Sequence, residues 1–494
     1  MATDIPAGRR GTTWADARPA SDTLVLRRIV GVAGIGSAIA FIVLGCICRL
    51  QLYGDGSMFS YAVAARDAWA FHWHNISGRL FVYLAFHAPS EALVALTRDP
   101  QAGIALYGLL FFSAPLLGLA ATWLLDRSKH RVFFWFACAA AACCCPLVFG
   151  FPTEMWIAQS LFWPTLAVCH DARGRAGTVL VFVLMLALVF THEAAIVLAG
   201  VIVLTLVPRG TRDAAFLRAA GALAAALAIW TAVKLLLPPD DYDGPVMERA
   251  ALHFFDPSLL DCYLLALLAM ALVAYAAIFV ALQRLLPGQA HWLAALTIAT
   301  ALAVRWLAFD HALHADERYP LRTVLFVATV ALGIMAALYA YAARTQAAPP
   351  RWLPRHLLQA LASATAARAL SGAIVLIVLM HAVETAKFCR AWIAYTAAIR
   401  ALAMGAASDP ALGDARFVSS DRVGGTLNRL SWFSTTPYLS VLVAPGAAPA
   451  RLVVDPSSTY FWLTCATATA NEKASRAIPV ESRRLIRIYA CLHR

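Results

Sequence analysis

Residues 29–57 read IVGVAGIGSAIAFIVLGCICRLQLYGDGS. The apolar part, residues 29–50, is long enough for a helix that crosses a bilayer, which needs about 20 residues. Tyr53-Gly54-Asp55-Gly56-Ser57 follows at once and puts a carboxylate between two glycines. Because Lys and Arg are retained on the cytoplasmic side, the arginines before this run predict that Asp55 emerges on the outer face.

The whole chain has the composition of an integral membrane protein. Of its 494 residues 61% are hydrophobic and 14% are charged, and the mean hydropathy is +0.69. A soluble chain with a single core does not carry so much apolar sequence. The net charge of +12 comes from Lys and Arg in short linkers between apolar runs, so it indicates membrane orientation and argues against a nucleic-acid partner.

The fold class predicted is an all-α polytopic membrane protein with about eleven transmembrane helices. The spans are predicted at residues 29–50, 101–125, 131–149, 155–170, 176–191, 193–207, 214–237, 259–283, 289–308, 321–343 and 369–389. The linkers rich in Arg and Lys then fall on one side and those rich in acids and His on the other. This pattern predicts a bacterial inner (plasma) membrane protein with a cytoplasmic N-terminus and a periplasmic C-terminus.

Three parts are expected along the chain. Residues 1–28 form a cytoplasmic tail, residues 29–390 a transmembrane domain with a long first periplasmic loop at 51–100, and residues 391–494 a periplasmic domain. Within the long loop, residues 80–96 are predicted to lie along the membrane interface. The alternating runs 438–443 and 451–454 predict strands, so the last part should be a small α/β domain.

Asp55 is the leading catalytic candidate. A carboxylate held at the outer membrane surface can accept a proton from an incoming hydroxyl, as a general base does. The competing interpretation is an ordinary turn, because Gly-Asp-Gly is also a common turn sequence.

Other outward linkers carry isolated ionisable residues. Glu154 follows Thr153 at the start of a span, where helix capping explains both residues. His192 and Glu193 interrupt a long apolar stretch, and ionisable residues at membrane depth usually face a cavity or a partner. We therefore predict that His192 and Glu193 belong to or support a site.

Three basic residues near the outer ends of spans are candidates for binding a phosphate: Arg318, Arg322 and Lys234. Arginine binds phosphate through paired hydrogen bonds, although snorkelling of these side chains to lipid headgroups explains them equally well. His311 and His314 lie close to acids, but no third metal ligand is implied, so no metal site is assigned. No cofactor is certain, and a divalent cation is left open.

Taken together, the pattern resembles the GT-C superfamily of integral membrane glycosyltransferases, which use polyprenyl-phosphate-linked sugars. The resemblance is carried by Asp55 in the first outward loop, the interfacial stretch after His74, the hairpins at Glu154 and Glu193, the segment Glu317-Arg318-Tyr319, and the periplasmic tail. It covers the whole chain as architecture. The single acid in Gly-Asp-Gly departs from the paired acids common in the first loop of that family.

The resemblance implies an inverting transfer of a sugar from a polyprenyl-phosphate donor to an envelope glycan, lipid or protein acceptor. Asp55 would deprotonate the acceptor hydroxyl, while the basic residues would stabilise the leaving phosphate. Substrate-binding or supporting roles are expected for His74, Arg79, Glu154, His192, Glu193, Glu317 and Tyr319.

Other functional classes stay open. An O-antigen-type polysaccharide ligase or polymerase would share the spans and outward arginines, but its essential residues are expected in one large late loop. A lipid or glycan transporter should carry polar residues along its spans, and few were recognised there. A non-catalytic scaffold for envelope assembly is the remaining alternative.

Overall fold

A computed structural model of the chain describes residues 21–66, 68, 76–144, 153–236, 262–314, 317–345, 363–405, 417–432, 435–443 and 452–454. The side chains of residues 21, 76, 77, 144, 318–320, 343–345, 417, 452 and 454 lie outside this description.

Helices dominate the described residues. They are α1 (Ser21–Ile47), α2 (Asp55–Ala65), α3 (Leu80–Thr97), α4 (Pro100–Leu125), α5 (Val132–Cys144), α6 (Glu154–Asp171), α7 (Gly174–Val189), α8 (Ala195–Leu204), α9 (Ala214–Leu236), α10 (Tyr263–Gln283), α11 (Ala290–Ala308), α12 (Arg318–Thr345), α13 (Ala364–Ala403) and α14 (Thr436–Leu442). Two short strands, β1 (Phe417–Ser419) and β2 (Leu452–Val454), pair in parallel.

The helices are those of a multi-pass membrane protein. Among the described residues, eight helices are long and apolar enough to cross a bilayer: α1, α3, α4, α9, α10, α11, α13 and the part of α12 from Leu321 to Ala342. Every predicted span contains a helix, and α5, α6, α7 and α8 are the shorter ones. The all-α polytopic class is therefore confirmed, whereas the count of eleven stays a prediction. Helix α3 has the length of a span, and its interfacial position also stays a prediction.

Helix α1 packs against α4, α5 and α13. Small residues allow these close crossings. A Cβ atom at Gly34 would lie 2.3 Å from the carbonyl oxygen of Cys138 on α5, and one at Gly45 would lie 2.5 Å from the Phe112 ring on α4. The Phe41 ring of α1 meets Phe112 edge to face. Tight crossings over small residues are typical of helix packing in membranes.

The two ends of the bundle differ in their polar groups. At one end, which we call the arginine end, Arg209 donates to the His170 carbonyl at 2.9 Å and Arg218 donates to the Ala172 carbonyl at 2.7 Å. Arg368 pairs there with Asp22 at 2.9 Å. At the other end, the carboxylate end, the acids Glu154, Glu193, Asp310 and Glu317 make the interactions described below.

The C-terminal segment differs from its prediction. Residues 438–443 were expected as a strand, but helix α14 occupies Thr436–Leu442. Pro437 lies in the first turn, where its fixed φ angle favours a helix, and Tyr438 is buried against Tyr61 of α2 with ring centroids 5.5 Å apart. Burial and the proline therefore override the β propensity. The strand predicted at 451–454 is present as β2.

The last long helix also extends further than its predicted span of 369–389, because α13 continues to Ala403. Trp392, Tyr395 and Ile399 are buried beyond the predicted end. The Trp392 indole donates to the Cys48 carbonyl at 3.1 Å, which ties α13 to the end of α1. Packing thus prolongs the helix, and the division of the chain at residue 390 stays a prediction.

Candidate functional site

Arg79 joins three segments at the carboxylate end. Its guanidinium nitrogens lie 3.0 Å from Glu154 Oε1 and 3.2 Å from Glu193 Oε2. The three side chains are mostly buried, with exposed fractions of 20%, 11% and 16%. Burial alone would lower the pKa of Arg79, but the charges of Glu154 and Glu193 raise it above its ordinary value. The arginine therefore stays charged and holds both carboxylates.

The two glutamates stay ionised for the same reason. Burial alone would raise the pKa of Glu193, but Arg79, His192 and Lys234 lower it to about 2. The pKa of Glu154 is likewise lowered, since Arg79 and His192 outweigh the effect of burial. Thr153 occupies the N-cap position of α6 without a side-chain capping bond. Helix capping was the competing explanation for Glu154, and pairing with Arg79 replaces it as the main interaction of this carboxylate.

His192 lies beside this arginine bridge in its neutral form. The Ala194 backbone N–H donates to His192 Nδ1 at 3.0 Å, so Nδ1 is unprotonated and the ring proton sits on Nε2. Burial first, and then the nearby Arg79 charge, lower the pKa of His192 to about 4. The Glu193 carboxylate is 3.8 Å from Nδ1. A neutral Nε2–H is a hydrogen-bond donor that a ligand could use.

The side chain of Lys234, near the end of α9, passes beside Gly78 and comes close to Glu193. A Cβ atom at Gly78 would lie 2.6 Å from Lys234 Cε, 3.0 Å from its Nζ and 3.1 Å from Glu193 Oε1. Any larger residue at this position would displace the lysine. The Lys234 ammonium also lies 5.8 Å from the centre of the Trp230 ring. Arg322, in the first turns of α12, lies within electrostatic range of His192.

Asp55 begins helix α2 on the neighbouring side of the same end. Gly54 precedes it with φ 57° and ψ −136°, a conformation that favours glycine. Tyr53 is buried and its ring meets those of Phe388 and Trp392 edge to face at 4.9 and 5.2 Å. These contacts fix the turn that presents the half-buried Asp55 at the helix N-terminus, where a carboxylate is favoured by the helix dipole.

Tyr107 of α4 lies near both Asp55 and the arginine bridge. Its side chain is buried, and its hydroxyl lies within electrostatic range of both Asp55 and Glu154. His87 of α3 packs against the Tyr107 ring with centroids 5.0 Å apart. Sequence analysis missed Tyr107 and Gly78, because an aromatic residue in an apolar span and a glycine in a loop carry no distinctive pattern.

The structure therefore gathers many of the predicted site residues into one region, which we call the Arg79 site. It comprises Asp55, Gly78, Arg79, Tyr107, Glu154, His192, Glu193, Lys234 and Arg322. Three predicted members cannot be assigned to it: His74 lies outside the described residues, and the side chains of Arg318 and Tyr319 lie outside the description. Their roles stay predictions.

Glu317 belongs to a different set of contacts. Its Oε2 accepts hydrogen bonds from the Leu264 backbone N–H at 2.7 Å and the Cys262 thiol at 3.1 Å, which caps the start of α10. Its Oε1 lies 3.5 Å from His314. These contacts give Glu317 a structural function, and its expected substrate-binding or supporting role stays a prediction. No pattern in the sequence predicts the contact between Glu317 and the start of α10.

A group of three or more His, Cys, Asp and Glu side chains that could hold a metal ion is not found in the described part of the chain. The chain matches no known protein-family model, no curated protein and no solved structure.

Protonation of His192 should make the fold sensitive to mild acid. The pKa of His192 is about 4 in the fold against an ordinary 6.5, so the unfolded chain takes up the proton first as the pH falls. The contribution of His192 to the free energy of unfolding is therefore complete above pH 6.5. It declines by about 2 kcal/mol between pH 6.5 and pH 5. Glutamine does not titrate, so we expect the free energy of unfolding of His192→Gln to decline less over that pH range.

The measurement is unfolding of detergent-solubilised protein at a series of pH values. Other titrating groups are common to both proteins, so the difference between the two pH profiles isolates His192. Equal slopes for wild type and His192→Gln would show that this histidine is not held neutral in the fold.

Proposed function

We propose that the chain is a membrane glycosyltransferase of GT-C-like architecture. It transfers a sugar from a polyprenyl-phosphate donor to an envelope glycan, lipid or protein acceptor, with inversion, on the periplasmic face of the bacterial inner membrane. The observation that carries the proposal is the Arg79 site. There a carboxylate at a helix N-terminus, Asp55, shares one end of the helical bundle with the cations Lys234 and Arg322.

The orientation is inferred from the arginines of the arginine end together with the Arg- and Lys-rich linkers of the sequence. Arg209, Arg218 and Arg368 are bonded to helix ends on the side opposite the Arg79 site. Because basic residues are retained in the cytoplasm, the arginine end faces inward and the Arg79 site faces the periplasm. Helix α1 then runs outward from a cytoplasmic N-terminus, and the segment after α13 is periplasmic.

The proposed reaction needs one base and one binding site for a phosphate. Asp55 accepts the proton of the acceptor hydroxyl while its oxygen forms a bond to the anomeric carbon. The bond from that carbon to the phosphate oxygen breaks, and the electron pair leaves with the polyprenyl phosphate. Attack opposite the leaving group inverts the carbon. A phosphate leaving group needs little protonation, so a second acid beside Asp55 is not required.

The cations divide into two kinds. Arg79 is already bonded to Glu154 and Glu193, so its role is to hold the region together. Lys234 and Arg322 are the better candidates for the leaving phosphate, because Lys234 lies beside Gly78 next to the arginine bridge and Arg322 lies within electrostatic range of His192. Positive groups that meet the charge developing on the phosphate would lower the barrier. His192 Nε2–H adds a neutral donor suited to a sugar hydroxyl.

Replacement of the base tests the reaction directly. In membranes with matched expression, we expect Asp55→Asn to reduce transfer from a radiolabelled polyprenyl-phosphate sugar by about 100-fold or more, since general base catalysis contributes 10²–10⁴. Asp99→Asn is the control. Asp99 is exposed and caps α4 by accepting the Gln101 N–H at 2.8 Å, a bond that asparagine can also make.

Transfer that survives in Asp55→Asn would remove Asp55 from the role of base. If the wild type transfers no sugar from any of several donors, the ligase, transporter and scaffold alternatives gain weight. A ligase would instead join a preassembled glycan to its acceptor, and a transporter would move labelled lipid between leaflets without transfer.

Gly78→Ala tests the role of Lys234 in binding the donor. The added methyl group would meet the flexible end of Lys234, so the side chain moves while the fold survives. We expect kcat/KM for the donor to fall about tenfold, the value of one hydrogen bond to a charged group. Lys234→Ala should cause a similar loss, and the double variant should lose little more than either single variant.

Gly36→Ala is the control, because a Cβ atom there meets nothing within 4 Å. An unchanged kcat/KM in Gly78→Ala, or losses that add fully in the double variant, would contradict a role for Lys234 held through Gly78.

A further inference from the structure

A second polar cluster lies at the carboxylate end and shares no residue with the Arg79 site. It forms where the start of α10, the end of α11, the segment before α12 and the second half of α13 meet. We call it the His314 cluster; its members are Cys262, Tyr263, Arg305, Asp310, His314, Glu317, Glu384 and Lys387. Sequence analysis overlooked Glu384 and Lys387, although charged residues in an apolar span are a recognisable signal.

His314 is bonded on both sides of its ring. Its Nε2 lies 3.4 Å from Asp310 Oδ1 and its Nδ1 lies 3.5 Å from Glu317 Oε1. A neutral imidazole carries only one N–H, so it can donate to one carboxylate but not to both. Only the imidazolium form satisfies both contacts. The ring also stacks on Tyr263 with centroids 4.4 Å apart, which fixes its plane between the two acids.

We propose that His314 is a proton-operated latch, which when protonated joins Asp310 to Glu317 and so holds the start of α12 against the start of α10. This inference does not depend on the proposed glycosyltransferase activity.

The latch acts through Glu317. This carboxylate accepts the Leu264 N–H at 2.7 Å and the Cys262 thiol at 3.1 Å, so it caps α10 from another segment. Glu317 immediately precedes α12, which carries Arg322 into electrostatic range of His192. When His314 loses its proton, one of its two carboxylate bonds is lost. Glu317 is then less restrained, so both the cap on α10 and the position of the first turn of α12 become less stable.

The charges around His314 favour the protonated form. Asp310 lies 3.6 Å from Arg305 of α11 and 3.7 Å from Lys387 of α13, and it accepts the Tyr263 hydroxyl at 3.1 Å. Glu384 pairs with Lys387 at 3.2 Å. Among the described residues of the cluster, two cations thus face three carboxylates. A proton on His314 brings the cluster to neutrality.

The direction of the response follows from these contacts. The bond to Glu317 first, and then the bond to Asp310, raise the pKa of His314 above its ordinary 6.5 against the opposing effect of burial. The latch is therefore fully closed below pH 6.5 and opens as the pH rises through the higher value in the fold. This pH dependence is opposite to that of His192, whose contribution to stability is lost in acid.

Hydrogen–deuterium exchange at the start of α10 reports the latch locally. The Leu264 amide is protected by its bond to Glu317. With exchange corrected for the intrinsic rate at each pH, we expect its protection in wild type to fall about threefold or more between about pH 6 and pH 9. In His314→Gln, protection should be low and nearly independent of pH. His311→Gln, which changes a nearby exposed histidine, should behave like wild type.

Two results would overturn the latch. One is wild-type protection at Leu264 that does not change over this pH range, a result that needs no variant to fold. The other is the same pH dependence in wild type and His314→Gln. The measurement uses no substrate, so it decides about the latch whether or not the chain transfers sugar.

Discussion

The ion bridge centred on Arg79 is the constraint on which the candidate site depends. One guanidinium holds Glu154 at the start of α6 and Glu193 in the turn between α7 and α8. Removing one partner from a buried ion pair costs about 3–5 kcal/mol, because the remaining charge is left unpaired in a poorly solvated place. Here one cation serves two carboxylates, so the segment before α3, the start of α6 and the α7–α8 turn are held to one another. Lys234 reaches the same place because Gly78, next to Arg79, leaves room for it.

Much of the fold could be predicted from the sequence, because apolar length and the distribution of arginines are strong local signals. Each predicted span contains a helix, whereas the sequence did not predict that Asp55 begins a helix of its own after the first span. The sequence also assigned Arg79, Glu154, His192, Glu193 and Lys234 to one side, which is necessary for the site. It could not give the pairings, because distances between residues 79, 154 and 193 arise from packing. Glu317 caps α10 for the same reason, and residues 438–443 became a helix because Pro437 and burial outweigh β propensity.

Two histidines at the carboxylate end are held in opposite charge states. His192 accepts a backbone N–H and lies near Arg79, which keeps it neutral. His314 lies between two carboxylates, which favours its protonated form. Acid therefore destabilises the region around His192, and alkali destabilises the region around His314. We expect the fold to be most stable at the pH values between these two transitions. The same contrast separates their roles, since His192 offers a donor in the Arg79 site whereas His314 fastens the segment that leads into α12.

A double-mutant cycle between Arg79 and Glu193 tests the central claim most directly. The unfolding free energies of wild type, Arg79→Met, Glu193→Gln and the double variant are compared in detergent, with the same cycle for Arg79 and Glu154 alongside. If the bridge holds the site together, the coupling energy should exceed about 1 kcal/mol in each cycle, in the range seen for residues in direct contact. Additivity within about 0.5 kcal/mol in both cycles would show that Arg79 does not hold these segments together, and the assembly of the site would need another explanation.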